Sequence, residues 1–110
     1  MGFSAIVAGT GFEGRAARIR MFAHPGDAVE LRREPDNPYD ENAVAVYLRV
    51  RRWYTLFRPV PLQIGYLKKA RAASLSKKMA EGVSIREAVI VSTYKADKHP
   101  RVSLKITTDE

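Results

Sequence analysis

The sequence contains no cysteine, so it can form no disulfide, no thiolate metal site and no cysteine nucleophile. Its two histidines, His24 and His99, lie far apart in the chain, and neither has a second ligand at the spacing of a zinc site. No apolar run approaches the roughly 20 residues that cross a bilayer. These absences predict a protein without a metal, a cofactor or a membrane partner.

The first residues also lack the features of a targeting segment. A secretory signal needs a charged region followed by a long apolar stretch, and neither is present. Ile6 stands where a myristoylation motif requires serine or threonine. We therefore expect a soluble protein of the cytoplasm.

The composition is sufficient for one folded domain and favours a negatively charged partner. Hydrophobic residues make up 45% of the 110 residues, and chains of this size bury roughly two-thirds of their unfolded surface. We expect a single domain over residues 1–110. The net charge of +7 does not define a fold, but it indicates a polyanion as partner, with nucleic acid as the leading class.

The positive charge is concentrated in one stretch of the chain. From Asn42 to Ala80 the sequence has no acidic residue. The basic residues of this stretch are Arg49, Arg51, Arg52, Arg58, Lys68, Lys69, Arg71, Lys77 and Lys78. Its aromatic residues are Tyr47, Trp53, Tyr54, Phe57 and Tyr66. Basic side chains attract phosphates and aromatic rings stack on unpaired bases, so the mixture suits single-stranded nucleic acid. A solvated face beside an ordinary basic helix is the alternative.

The hydrophobic pattern predicts a mainly β fold. The expected strands are residues 3–8, 28–32, 43–50, 63–66, 83–94 and 101–107. The spacing of Ala72, Leu75 and Met79 predicts one main helix over residues 68–81, ended by a left-handed Gly82. Residues 15–23 are compatible with a strand or a short helix. Six strands and one main helix indicate a small, partly open β-barrel of the OB-like or SH3-like kind.

The segment from Gly9 to Gly14 matches the dinucleotide-binding pattern G-x-G-x-x-G and follows an expected strand. Glu30 and Glu34 stand near the distance at which such folds keep a ribose-binding acid. However, the segment that follows is short and alternating, and the rest of the chain is rich in strands. We interpret the motif as a glycine-rich connection, with a nucleotide-binding enzyme as the alternative.

The most distinctive segment is residues 31–46, which read LRREPDNPYDENAVAV. Its two prolines stiffen it, and its Asn and Asp side chains can bond nearby backbone groups, so it predicts a braced connection between two strands. A binding interpretation gives Tyr39 an exposed aromatic face beside the Asp40 carboxylate. A carboxylate repels internal phosphates, but it can accept a hydrogen bond from a sugar hydroxyl at the end of a strand.

This block resembles the signature of the HIRAN domain. Other segments agree, with VAG at residues 7–9, GD at 26–27 and IGYL at 64–67 before an alanine-rich helix. The resemblance covers residues 4–82, and residues 83–110 would add the closing strands. It implies an OB-like β-barrel that binds DNA. In eukaryotic fork-remodelling helicases of this family, the domain captures the 3′-hydroxyl end of single-stranded DNA.

The resemblance also implies roles for individual residues. The tyrosine that stacks on the terminal base corresponds to Tyr39 and the aspartate that bonds the end to Asp40, with Asn37 as loop support or a minor contact. Phe12 lies near the aromatic residues of the family's first loop, whereas the arginine of that loop is missing and Arg15 is the candidate to replace it. The residues expected to hold the nucleic-acid backbone are Arg32, Arg33, Lys68, Lys69 and Arg71.

These observations predict that the protein is a non-catalytic DNA-binding module. We expect it to favour single strands or 3′ ends and to act in DNA repair or replication. The sequence lacks the G-x-x-x-x-G-K-[ST] motif of an ATPase, so stand-alone bacterial members of the family resemble it best. The alternative is an accessory module for a separate helicase or nuclease. In that case Trp53, Tyr54 and Phe57 would form the partner surface. The choice between DNA and RNA stays open.

Overall fold

The computed structural model describes residues 2–12, 14–50, 56, 58, 60–96 and 98–109. The elements found there are β1 (Gly2–Ala8), α1 (Arg15–Phe22), β2 (Val29–Arg33), β3 (Val44–Val50), β4 (Val60–Leu67), α2 (Lys69–Ala80), β5 (Ile85–Tyr94) and β6 (Arg101–Thr108). Every expected strand and the main helix are present. The predicted mainly β class is therefore confirmed, with a second, shorter helix added.

The strands form one antiparallel sheet in the order β2-β3-β4-β1-β6-β5. The two edge strands approach each other beside β2, where Ala28 forms an isolated bridge with Val89. Next to this bridge, Ile90 accepts a hydrogen bond from the backbone of Gly26 and donates one to the backbone of Asp27. The two edges of the sheet thus meet over a few residues, and this limited contact gives the partly open barrel expected of an OB-like fold.

The core lies inside this curved sheet, with the two helices packed against it. Inward-facing strand residues that are fully buried include Val44, Val46, Ile64, Val102, Leu104 and Ile106. The helices add Ile19 from α1 and Leu75 from α2, which are also buried. Burying a side chain of this size stabilises the fold by roughly 1.5–3 kcal/mol relative to exposing it.

Residues 15–23, whose sequence is compatible with a strand or a short helix, contain helix α1. The Arg18 side chain donates a hydrogen bond from Nη1 to the Gln63 carbonyl in β4, at 2.8 Å.

The glycine motif at residues 9–14 leads from strand β1 into helix α1, as a dinucleotide-binding fold requires. However, β1 pairs antiparallel with both of its neighbours, whereas that fold is built from parallel β-α-β units. The sheet thus favours a glycine-rich connection.

The end of α2 follows the prediction. Gly82 has φ 98°, in the left-handed region that favours glycine. Its N–H donates to the Met79 carbonyl, and the N–H of Val83 donates to the Lys78 carbonyl, which is the Schellman pattern. Within the described residues, neither helix is long and apolar enough to cross a bilayer.

Strands β3 and β4 pair antiparallel up to Val50 and Val60. Strand β4 begins three residues earlier than predicted, because this pairing extends beyond the short apolar stretch that the sequence shows. Trp53, Tyr54 and Phe57, the surface of the accessory-module alternative, lie outside the described residues.

Candidate nucleic-acid interface

A groove of about 1190 Å³ opens where three parts of the chain meet. We call residues 9–12 and 14 the glycine loop and residues 34–43 the acidic loop; the third part is the end of β4 with the start of α2. The sequence-predicted residues that line the groove are Phe12, Arg15, Arg33, Asn37, Tyr39, Asp40 and Lys69. Residues as far apart in the sequence as Phe12 and Lys69 thus share one site.

Two exposed aromatic side chains stand on different walls of the groove. Tyr39, in the acidic loop, is 93% exposed, and Phe12, in the glycine loop, is 63% exposed. Rings with so much exposed surface add little to the core. They offer flat apolar faces, on which planar groups such as bases can stack.

Asn37 holds the acidic loop in shape. Its side-chain oxygen Oδ1 accepts hydrogen bonds from the backbone N–H groups of Tyr39, at 2.9 Å, and Asp40, at 3.1 Å. Its Nδ2 donates to the carboxylate of Glu34 at 3.0 Å. These bonds all lie within the loop, which fits the supporting role expected of Asn37.

Asp40 combines a bracing bond with a position in the groove. Its Oδ1 accepts a hydrogen bond from the backbone N–H of Asn42 at 2.9 Å. Its side chain is half-buried at the groove wall. An ionised carboxylate has about four acceptor positions. The bracing bond therefore leaves Asp40 the capacity to accept a hydrogen bond from a bound hydroxyl.

Tyr66 lines the groove from the end of β4, beside the acidic loop. Its hydroxyl donates to Oε1 of Glu34 at 2.8 Å. A hydrogen bond with Gln63 lowers the pKa of this hydroxyl, but burial and the Glu34 carboxylate together raise it above its ordinary value. The hydroxyl stays protonated at neutral pH and remains a donor to Glu34. Sequence reasoning noted Tyr66 as an aromatic but did not place it in the site.

Arg15 connects the glycine loop to this wall. Its guanidinium lies 5.3 Å from the centre of the Tyr66 ring, within cation–π range. Its Nη1 donates to the Gly9 carbonyl at 3.0 Å. Only 8% of Arg15 is exposed. Arg15 thus lines the groove with its guanidinium largely beneath the surface, and its role as the replacement for the family's first-loop arginine stays a prediction.

Positive charge also reaches the groove from β2 and α2. Arg33 lines it and donates from Nε to the hydroxyl of Ser76 at 3.2 Å, which ties the end of β2 to α2. Lys69 lines it at the first position of α2 and is exposed. Lys68 is exposed as well but is not among the lining residues.

Arg32 and Arg71 do not line the groove either. Arg32 forms an ion pair with Glu30, and its guanidinium lies 4.3 Å from the centre of the Tyr47 ring. Arg71 lies 5.3 Å from the centre of the Phe3 ring. The charged heads of both arginines are therefore held on other parts of the surface. Nor do the described residues contain a group of three His, Asp or Glu side chains that could hold a metal ion.

A sequence model of the HIRAN domain matches residues 3–109. The chain belongs to the HIRAN domain family. HIRAN domains are DNA-binding modules, so membership supports nucleic-acid binding by this chain.

Solved structures share the HIRAN fold. A crystal structure of a protein from Lactobacillus plantarum is 19% identical, with a TM-score of 0.69, and the match covers 96% of this chain and 95% of that one. The crystal structure of the HIRAN domain of human HLTF is 24% identical, with a TM-score of 0.64, and the match covers 96% of this chain and 74% of that one. No curated protein matches the sequence significantly.

We expect the variant Asn37→Ala to weaken nucleic-acid binding about three- to tenfold, because it removes the bonds that hold Tyr39 and Asp40 in place. Stability should fall by about 1–2 kcal/mol, as is usual when a partner of several hydrogen bonds is lost. Fluorescence anisotropy with labelled single-stranded DNA and thermal unfolding measure the two effects.

The matched control for Asn37 is the variant Asn37→Ser, whose hydroxyl can still accept a backbone hydrogen bond but cannot reach as far. Its binding should lie between those of the natural protein and the alanine variant. If both variants bind as well as the natural protein, the loop does not depend on Asn37.

Proposed function

We propose that this HIRAN domain binds single-stranded DNA and holds the 3′ end of the strand in the groove. The observation that carries the proposal is the placement of two exposed aromatic side chains, Tyr39 and Phe12, on the walls of a groove that also contains the Asp40 carboxylate. Catalysis is left to other proteins, such as a separate helicase or nuclease. DNA repair and replication in the cytoplasm are the processes that we assign to it.

The chemistry of the groove favours a strand end over an internal nucleotide. Stacking of a base on Tyr39 or Phe12 is worth about 1–3 kcal/mol per base and does not depend on its sequence. Arg33 and Lys69 attract the phosphates beside that base. Asp40 would repel a phosphate in the innermost position, but it would accept a hydrogen bond from a terminal hydroxyl there.

The test compares single strands that differ only in the chemistry of their ends. We expect a strand with a free 3′-hydroxyl to bind about tenfold more tightly than the same strand with a 3′-phosphate, because the added charge faces Asp40. Moving the phosphate to the 5′ end should leave the affinity close to that of the free strand. Fluorescence anisotropy at fixed salt gives the affinities, and salt must be fixed because phosphate contacts depend on it.

Asp40→Asn provides the matched variant for this experiment. The asparagine oxygen can keep the bond to Asn42, so the loop should stay folded while the negative charge is removed. Its preference for the free 3′-hydroxyl should fall to about twofold or less. If the natural protein itself binds both ends equally, the groove binds DNA without selecting an end. The same measurement with RNA of the same sequence tests whether the groove prefers deoxyribose or ribose.

A further inference from the structure

One row of residues across the sheet leads away from the groove. Tyr66 in β4 is the partner of Ala8 in β1. The observed pairs of β1 with β6 end at Ile6 and Ser103. Extending the same register by two residues, to the ends of both strands, aligns Ala8 with Arg101. Side chains two positions apart in a strand point to the same side of the sheet. Tyr66, Ala8 and Arg101 therefore lie in one row and on one face.

The row ends on the edge strand β5 with an aromatic ring and an arginine. Arg101 is the partner of Tyr94. Its guanidinium carbon lies 5.7 Å from the centre of the Tyr94 ring, and Tyr94 is 55% exposed. At the groove end of the same row, Arg15 lies over Tyr66 in a similar way. An arginine–tyrosine pair thus lies at each end of the row, exposed at Tyr94 and largely buried at Arg15.

The surface between the two ends is continuous. Thr10, in the glycine loop, donates a buried hydrogen bond to the Pro100 carbonyl at 2.7 Å. A Cβ atom at Gly11 would overlap the His99 imidazole, so the loop and the turn before β6 are in close contact there. Phe12, on the wall of the groove, is the next residue of this loop. The groove wall and the start of β6 are therefore packed together.

The charge of this region suits a polyanion. Between Glu87 and Asp109 the sequence has a single acidic residue, Asp97, which lies outside the described residues. The basic residues in the same interval are Lys95, Lys98, Arg101 and Lys105. Arg20 of α1 adds a further guanidinium, which donates to the Lys95 carbonyl. Arg101 pairs with Tyr94 and Lys95 follows it in the chain, so positive charge lies directly beside this ring.

We propose that Tyr94 and Arg101 form a second stacking site, on which a single strand that leaves the groove is held. The proposal rests on the proposed function of the groove. The row crosses three strand spacings, roughly 14 Å. OB folds contact roughly 4–16 nucleotides of a single strand. A short oligonucleotide fills the groove alone, whereas a longer one extends past Phe12 to Tyr94.

The experiment measures how affinity depends on strand length. Fluorescence anisotropy is recorded with oligothymidylates of about 4, 8 and 12 nucleotides, which span the lower part of the OB-fold range. We expect Tyr94→Ala to weaken binding of the two longer strands about tenfold and to leave the shortest strand unchanged. Tyr94→Phe, which keeps the ring, should bind all lengths like the natural protein. Arg101→Gln should also weaken only the longer strands, by about threefold.

Arg86→Gln is the matched control for charge, because Arg86 is exposed near the other end of the same strand β5. It should change the affinity for all three strands by less than twofold. The proposal is overturned if Tyr94→Ala affects no length, or if it weakens all lengths equally. Thermal unfolding of each variant checks that the fold is intact.

Tyr39→Ala in the same series separates this proposal from the proposed function. If Tyr39→Ala weakens every length and Tyr94→Ala affects none, the groove binds DNA and the second site is refuted. If Tyr39→Ala affects no length, the proposed function of the groove fails instead.

Discussion

Replacing Tyr39 by alanine is expected to weaken single-stranded DNA binding about tenfold to a hundredfold. The ring is 93% exposed at the groove wall, so its loss removes a stacking face worth about 1–3 kcal/mol per base. The backbone of the loop is held by Asn37 and not by the tyrosine ring. The melting temperature should therefore change by less than about 2 °C.

Tyr39→Phe is the control for this variant, because it keeps the ring and removes only the hydroxyl. Its affinity should lie within about twofold of that of the natural protein. Isothermal titration with one oligonucleotide and constant salt measures all variants. Natural affinity in Tyr39→Ala would contradict a role of this ring in binding.

The double variant of Tyr39 and Phe12 shows whether both rings hold the same base. If one base lies between them, removing either ring also weakens the contact with the other, and the two effects are not additive. If the rings hold two different bases, their free-energy changes should add within about 0.5 kcal/mol. The outcome fixes the arrangement of bases in the groove.

Gly65→Ala is expected to be the most destabilising single substitution near the site. Gly65 has φ 156°, and a Cβ atom there would overlap the carbonyl oxygen of Ala8 and lie 2.6 Å from Cγ1 of Val7. The first of these atoms belongs to the backbone of β1, which cannot move without separating it from β4. Backbone strain and overpacking each cost about 1–3 kcal/mol. We expect a loss of about 2–6 kcal/mol and a fall in melting temperature of more than about 10 °C.

The matched control for Gly65 is Gly26→Ala. Gly26 also has a positive φ, of 94°, but a Cβ atom there meets nothing within 4 Å. Its substitution should lower the free energy of unfolding only through backbone strain, by about 1–2 kcal/mol. Urea unfolding measures the free energy of unfolding of both variants. Equal losses would show that contact with β1 adds nothing to the requirement for glycine at position 65.

The fold could largely be predicted because strand alternation is strong in this sequence. Helix α1 was left open between a strand and a short helix, because the apolar residues Ala17, Ile19, Met21 and Ala23 alternate as in a strand. In the structure only Ile19 and Ala23 of these four are buried, and Met21 is 65% exposed. Their spacing of four is helical. Alanine and methionine occur at both buried and exposed positions, so the sequence pattern did not reveal the helical spacing of the two buried residues.

The candidate site could be predicted where its residues are contiguous in the sequence. Tyr39, Asp40 and Asn37 come from one block, and the resemblance to HIRAN domains assigned their roles. Tyr66 reaches the groove through the pairing of β4 with β1, which no local pattern reveals. Arg32 and Arg33 were assigned together, although neighbouring strand residues point to opposite faces. The alternation could have shown that only one of them faces the groove.

The bonds within the acidic loop have a consequence for the thermodynamics of binding. Asn37 fixes the backbone beside it, and Glu34 accepts hydrogen bonds from both Asn37 and Tyr66. A loop held in this way has little conformational entropy left to lose when a ligand arrives, so less of the interaction energy is used to order the protein. The entropic penalty of association then falls mainly on the DNA strand, which is flexible until its bases stack.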